Sequence, residues 1–163
     1  VDGRAARLVT VTVRPGRPNG AASSFFSSII REPLAGDEAI LPVSPDVMHP
    51  VASPQKTVDG LVAVYEASRE AFVGRTAMTL PGLNVSVQQM LDALEAVAGP
   101  KVRARVRYVR DERIAGIVAN WPRGVRAPRA NALGLQAETD FKDVIRKYIV
   151  DCVDTPAALK GMQ

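Results

Sequence analysis

The first apolar run of the chain lies at residues 8–13, four apolar residues and two threonines, all β-branched except Leu8. Such a run suits a strand buried on both faces, as in a parallel sheet, better than a half-solvated one. Arg14-Pro15-Gly16-Arg17-Pro18-Asn19-Gly20 ends it. The prolines withdraw ladder donors, and the glycines permit backbone angles that a Cβ forbids. Residues 21–26 then read as a helix start. Ligands of open α/β sheets sit beyond the carboxyl ends of the strands. Residues 15–24 are therefore expected to border the main pocket, with Arg17 and Asn19 pointing into it.

Helical spacing dominates the rest of the chain. Ser53-Pro54 offers an N-cap and a first-turn proline, and Val58, Leu61, Val62, Tyr65 and Phe72 form one predicted apolar stripe. Ser86 and Gln89 make a capping box before Met90, Leu91, Leu94 and Val97, and Gly99-Pro100 stops that helix. A third helix begins after Asp111 and shows Ile114, Ile117, Val118 and Trp121 before Pro122 breaks it. A fourth begins after Thr139-Asp140, with Phe141, Val144, Ile145, Tyr148 and Ile149 on one face. Further strands are expected at residues 38–43, 75–80 and 102–109, with residues 42–54 the loosest stretch. The pattern is α/β or α+β with more helix than strand. The first strand asks for parallel neighbours that the chain supplies sparingly, so the sheet is expected to be incomplete.

Composition narrows the function classes. The chain has 163 residues, 47% of them hydrophobic, enough for a core of its own. No apolar run reaches the ~20 residues of a membrane span, and the start lacks the sections of a signal peptide. It begins at Val1 without an initiating Met, which reads as a trimmed chain or a piece of a larger one. Cys152 is the sole cysteine, so no internal disulfide can form, and a reducing, cytoplasmic setting is expected. The net charge of +4 is too mild to imply nucleic acid by itself.

Candidate chemistry is sparse. Ser23, Ser24, Ser27 and Ser28 cluster at the helix start, either as caps or as part of an anion site. Arg14 and Arg17 flank the turn and could hold a carboxylate or phosphate, or simply be solvated. His49 is the only histidine, which rules out a His-rich metal site, and it is expected in a loop. Without a Gly-x-Ser-x-Gly elbow a hydrolase is not indicated. Residues 101–110 alternate basic and mostly apolar side chains. An edge strand guarded by positive charge explains that better than a nucleic-acid surface, which would want interleaved aromatics. No Gly-x-Gly-x-x-Gly or P-loop occurs.

With those residues in view, the chain resembles the carboxyl-terminal half of an extended short-chain dehydrogenase/reductase, the NAD-dependent epimerase/dehydratase superfamily. Within it the likeness is strongest to members that oxidise four-carbon sugar acids. It runs from Asp2-Gly3-Arg4 to about Asp151. Its markers are Val11-Thr12-Val13-Arg14-Pro15-Gly16-Arg17-Pro18-Asn19, the adjoining Ala-Ala-Ser-Ser-Phe, and Ile29-Ile30-Arg31-Glu32-Pro33-Leu34-Ala35-Gly36. Pro42-Val43-Ser44-Pro45-Asp46, Leu80-Pro81-Gly82-Leu83-Asn84-Val85-Ser86-Val87 and Arg129-Ala130 before Leu133-Gly134 add to it.

The resemblance implies an α/β fold: the last strands of a partial Rossmann-type sheet plus a smaller mixed α/β substrate-binding domain. Residues 1–36 would end the Rossmann core, and residues 37–163 would form the substrate-binding region with interleaved core elements. NAD would be the cofactor of the complete enzyme, with Pro15 and Gly16 beside its nicotinamide ring. Arg17, Asn19, Ser23 and Ser24 would line the substrate pocket. His49 would stand where many members grip a nucleotide-sugar diphosphate with Arg, its neighbours here being Met48 and Pro50. Most extended members carry Asn, Tyr and Gly where this chain has Arg17, Asn19 and Gly20, a departure that points to a small sugar acid as partner, with Arg17 near its carboxylate. The other readings are a nucleotide-sugar epimerase/dehydratase fragment and a non-catalytic module that keeps the pocket. A homodimer is possible; no nucleic acid, membrane or metal is expected. The Gly-rich fingerprint and the catalytic Tyr-x-x-x-Lys would belong to the other half. Four residues after Tyr65, Tyr108 and Tyr148 stand Arg69, Glu112 and Cys152, so no catalytic residue is expected in this chain.

Overall fold

The computed structural model describes residues 3–17, 19–74 and 76–163. Val1, Asp2, Pro18 and Arg75 lie outside the described residues. The expectations resting on them therefore lie outside too: Pro18 in the turn, Arg75 at a strand start, and Asp2 at the beginning of the resemblance.

The first apolar run is not one strand buried on both faces. It divides into β1 (Ala6–Arg7), paired in parallel with β5 (Met78–Thr79), and β2 (Thr10–Val11), paired in parallel with β4 (Met48–Ala52). Between them the chain changes partner, and Leu8 is 45% exposed. Only toward its end, at Thr12 and Val13, does the run become buried. Among the described residues β2 is the edge of a three-stranded sheet, β2-β4-β6, in which β6 (Leu83–Ser86) runs antiparallel to β4. A third small sheet pairs β3 (Ala39–Leu41) in parallel with β7 (Val106–Tyr108). The result is a mixed α/β fold with small parallel and mixed sheets.

After a 3-10 turn at Ala22–Ser24 comes α1 (Phe25–Ala35), which places Phe26, Ile29, Ile30 and Leu34 in the main core. Polar contacts hold it to the end of the first run. Thr12 Oγ1 donates to the Phe26 carbonyl at 2.9 Å, the Arg14 N–H to Ser27 Oγ at 3.1 Å, and Arg31 to the Arg14 carbonyl at 2.9 Å. The carboxyl-terminal 3-10 segment Pro156–Met162 packs on α1 at Gly161. There a Cβ would stand 2.2 Å from the Pro33 carbonyl oxygen, so only glycine fits.

The helices anticipated from spacing form. In α4 (Val87–Ala98) the Ser86–Gln89 capping box is present, and α6 (Glu112–Val118) and α8 (Phe141–Asp151) are capped by Asp111 and Asp140. α8 packs on α4 and buries Phe141, Val144, Ile145 and Tyr148. The first anticipated helix, α2 (Pro54–Glu66), is capped by Ser53 but docks by the opposite face. Gly60 and Val64 point inward, whereas Val58, Leu61, Val62 and Tyr65 are exposed, Tyr65 at 83%. The missing Cβ of Gly60 admits the Leu80 side chain, to which an added Cβ would come within 2.6 Å. Close approach, not an apolar stripe, decides this face. Phe72 sits in the next short helix, α3 (Arg69–Phe72), in a second small core with Met78 and Leu80.

Two more expectations change. Residues 102–109 are not one strand: α5 (Pro100–Arg103) is a helical turn, and only β7 is extended. His49 does not lie in a loop but in β4, paired with Val85 of β6. Pro50, which lacks a ladder donor, hides that strand from sequence reasoning. One short helix, α7 (Pro128–Ala132), precedes α8.

Candidate functional site

A cleft of about 570 Å³ opens where the start of β2, β4, the α1 entrance and the segment after α6 meet. Arg7, Thr10, Ser23, His49, Trp121 and Arg126 are among the residues lining it. His49 is one of them. The side chain is 5% exposed, stacked on Phe26 at 4.7 Å and tilted against Trp121 at 5.5 Å. Its Nε2 stands 2.7 Å from Thr10 Oγ1, and its ring also hydrogen-bonds the Pro122 backbone. Burial pushes the His49 pKa below the ordinary histidine value, and the Pro122 contact offsets this in part. The imidazole is therefore neutral at neutral pH.

Two cations face the same space. Among the described residues neither Arg7 nor Arg126 has a carboxylate partner, in contrast to Arg31, Arg107, Arg110 and Arg146. An unpaired guanidinium beside hydroxyls and a neutral imidazole is an arrangement for a small anion that also carries hydroxyl groups.

The residues anticipated from sequence divide between places. Ser23 and His49 share the cleft. Asn19 and Ser24 line a second cleft of about 560 Å³, with Ser28, Glu32 and Arg110. The Asn19 N–H donates to Ser24 Oγ at 3.4 Å, and Asn19 Oδ1 accepts from the Ala21 N–H at 3.0 Å, so both side chains also brace the turn. Pro15, Gly16 and Arg17 are exposed and line neither cleft. The turn that they form is thus not the wall of the cleft that His49 lines, because that cleft opens at the start of β2 and not past its end. Gly16 has φ 111°, which a side chain would strain, yet a Cβ there would meet nothing within 4 Å. The space beside this turn is open. Sequence reasoning misses Arg126 and Trp121 as site residues. Trp121 carries an apolar-stripe signal, whereas Arg126 has none, since its lack of a partner shows only in three dimensions.

The sequence carries no Gly-x-Gly-x-x-Gly or P-loop. A tyrosine acting as a base needs its pKa lowered, and burial instead raises that of Tyr148. Among the described residues no cluster of His, Cys, Asp and Glu could hold a metal ion. No helix among them is long and apolar enough to cross a membrane.

No family model matches the chain. It is 47% identical over 151 residues to D-erythronate dehydrogenase of Cupriavidus necator, covering 93% of this chain and 47% of that protein. To D-erythronate dehydrogenase of Haemophilus influenzae it is 39% identical, covering 91% of this chain and again 47% of the relative. Among solved structures, the nucleoside-diphosphate-sugar epimerase of Agrobacterium tumefaciens superposes with a TM-score of 0.90 at 40% identity, over 96% of this chain and 46% of that one. The chain spans about half the length of the curated relatives it matches. In sequence and in fold the chain is similar to about half of an extended short-chain dehydrogenase/reductase.

Proposed function

We propose that the chain is the substrate-binding part of an NAD-dependent oxidoreductase that acts on a hydroxyl of a small sugar acid, D-erythronate or a close analogue. The observation that carries this reading is the cleft, where Arg7 and Arg126, without carboxylate partners among the described residues, stand beside the hydroxyls of Thr10 and Ser23. A guanidinium fork matches a carboxylate, and short hydroxyls match a polyol chain. The names of two relatives support the same acid. The carboxylate goes to Arg126. Arg17 keeps second place, at the turn where Pro15 and Gly16 would border the nicotinamide ring.

NAD, when bound, supplies the hydride acceptor, and an amino-terminal half would hold it. Two features support such a half: the open edge of β2 and the exposed apolar face of α2, both of which a neighbouring βα layer would cover. Residues 1–36 would then close the nucleotide-binding core, and residues 37–163 would shape the substrate region, with Asn19 and Ser24 on its rim. The pairing of Arg107 with Glu38 at 3.4 Å and Arg110 with Glu112 at 2.6 Å supports a structural role for that basic stretch, not nucleic-acid binding. A cytoplasmic enzyme, with a homodimer possible, completes the reading.

A second reading, a nucleotide-sugar epimerase, is favoured by the name of the Agrobacterium tumefaciens protein. Calorimetric titration of the chain with D-erythronate separates the two. Binding at one site, weakened in Arg126→Ala by about 1.5–3 kcal/mol, the scale of one charge-assisted hydrogen bond, is the expected outcome. Loss in Arg17→Ala alone would move the carboxylate to the turn. Binding of a nucleoside diphosphate but not of D-erythronate would favour the second reading.

A further inference from the structure

We propose that Asn84 is a positioning residue: its side-chain amide clamps the strap of residues 119–127 by both backbone groups of Val125 and so holds Arg126 at the cleft. The strap joins α6 to α7 and belongs to no helix or strand. Yet five of its residues line the cleft: Trp121, Pro122, Gly124, Val125 and Arg126. Irregular chain has no ladder to fix it, so its backbone groups need other partners. At Val125 both groups go to one side chain. The Val125 N–H donates to Asn84 Oδ1 at 2.8 Å, and Asn84 Nδ2 donates to the Val125 carbonyl at 3.2 Å. The backbone itself fixes the direction of each bond, because an N–H only donates and a carbonyl only accepts. A primary amide answers both at once.

Asn84 is itself held in place. It lies in β6, in register with Pro50 of β4, the strand that carries His49 into the cleft wall. The strap lies close against it: a Cβ on Gly124 would stand 3.3 Å from Asn84 Oδ1, tighter than ordinary contact. What the clamp decides is where Arg126 works. Arg126 borders the cleft and also a neighbouring hollow of about 590 Å³, with Pro81 and Gly82. Among the described residues no carboxylate pairs with its guanidinium to hold it at either place. The Val125 carbonyl shares a rigid peptide plane with the Arg126 N–H, so fastening it sets the direction in which the Arg126 side chain departs. The cation is thus ordered before a ligand arrives. Without the clamp, a bound carboxylate would have to order the strap itself, and affinity falls by that cost.

This role rests on the reading of the cleft as a sugar-acid site, but its first observable needs no ligand. Asn84→Ala, checked for an intact melt, is expected to speed hydrogen exchange at the Val125 amide by at least about tenfold. Asn84→Thr, which suits a strand but lacks the amide, is expected to do the same. Unchanged exchange at Val125 in both variants would overturn the clamp and leave the cleft reading standing. D-Erythronate is then titrated into wild type, Asn84→Ala, Arg126→Ala and the double variant. Asn84→Ala is expected to weaken binding about threefold to tenfold, one hydrogen bond's scale, and to change nothing further in the Arg126→Ala background. A merely structural loss would be equal in both backgrounds, and that equality would overturn the positioning role. No binding of D-erythronate by folded wild type would overturn the cleft reading and this inference with it.

Discussion

At the scale of single residues, burial sets the behaviour of His49. Its pKa is lowered on folding, so as the pH falls through the ordinary histidine range near ~6.5 the unfolded chain takes up a proton that the folded chain refuses. The folded state therefore keeps its full margin above that range and loses it as the pH drops. Urea unfolding between about pH 7 and 5 should show stability falling with pH, and the slope should shrink in His49→Gln. An NMR midpoint for His49 above that of free histidine would contradict the burial argument. The importance of this residue is only half legible in the sequence. Being the only histidine draws attention to it, but Pro50 makes its strand look like a loop. Arg126 is not legible at all, because a cation becomes a site only where no carboxylate reaches it.

At the scale of elements, capping residues are the most legible signal. Ser53, Ser86, Asp111 and Asp140 each accept the N–H bond that starts their helix. Which face docks is legible for α4 and α8 but not for α2, where Gly60 lets Leu80 approach and turns the richer apolar stripe outward. That contrast gives a paired expectation. Ile145→Ala, in the fully buried stripe of α8, should cost about 2–5 kcal/mol in denaturant unfolding. Leu61→Glu should change the stability of this chain by no more than about 0.5 kcal/mol, since Leu61 is exposed. A large loss for Leu61→Glu would mean that α2 already has a partner within this chain. Gly161→Ala tests the terminal segment: with backbone in the way on the Pro33 side, the segment should come off α1, read as faster hydrogen exchange at the end of α1.

At the scale of the whole molecule, the fold matches one half of a two-part design. Among the described residues there are three small sheets, an open parallel edge at β2 and an outward apolar face of α2. The β-branched run is legible in the sequence as extended chain, but nothing in it shows that it splits between two sheets. That depends on where β4 and β5, residues apart in the chain, come to lie. By itself the chain should give no NAD-linked oxidation of sugar acids, for it lacks both a dinucleotide cradle and a tyrosine base with its lysine. The most direct measurement uses a chimera in which this chain replaces the matching half of the Cupriavidus necator D-erythronate dehydrogenase. NADH formation on adding D-erythronate, reduced at least about tenfold in kcat/KM by Arg126→Ala, is the predicted result. A folded chimera that binds NAD yet leaves D-erythronate unoxidised would contradict the account.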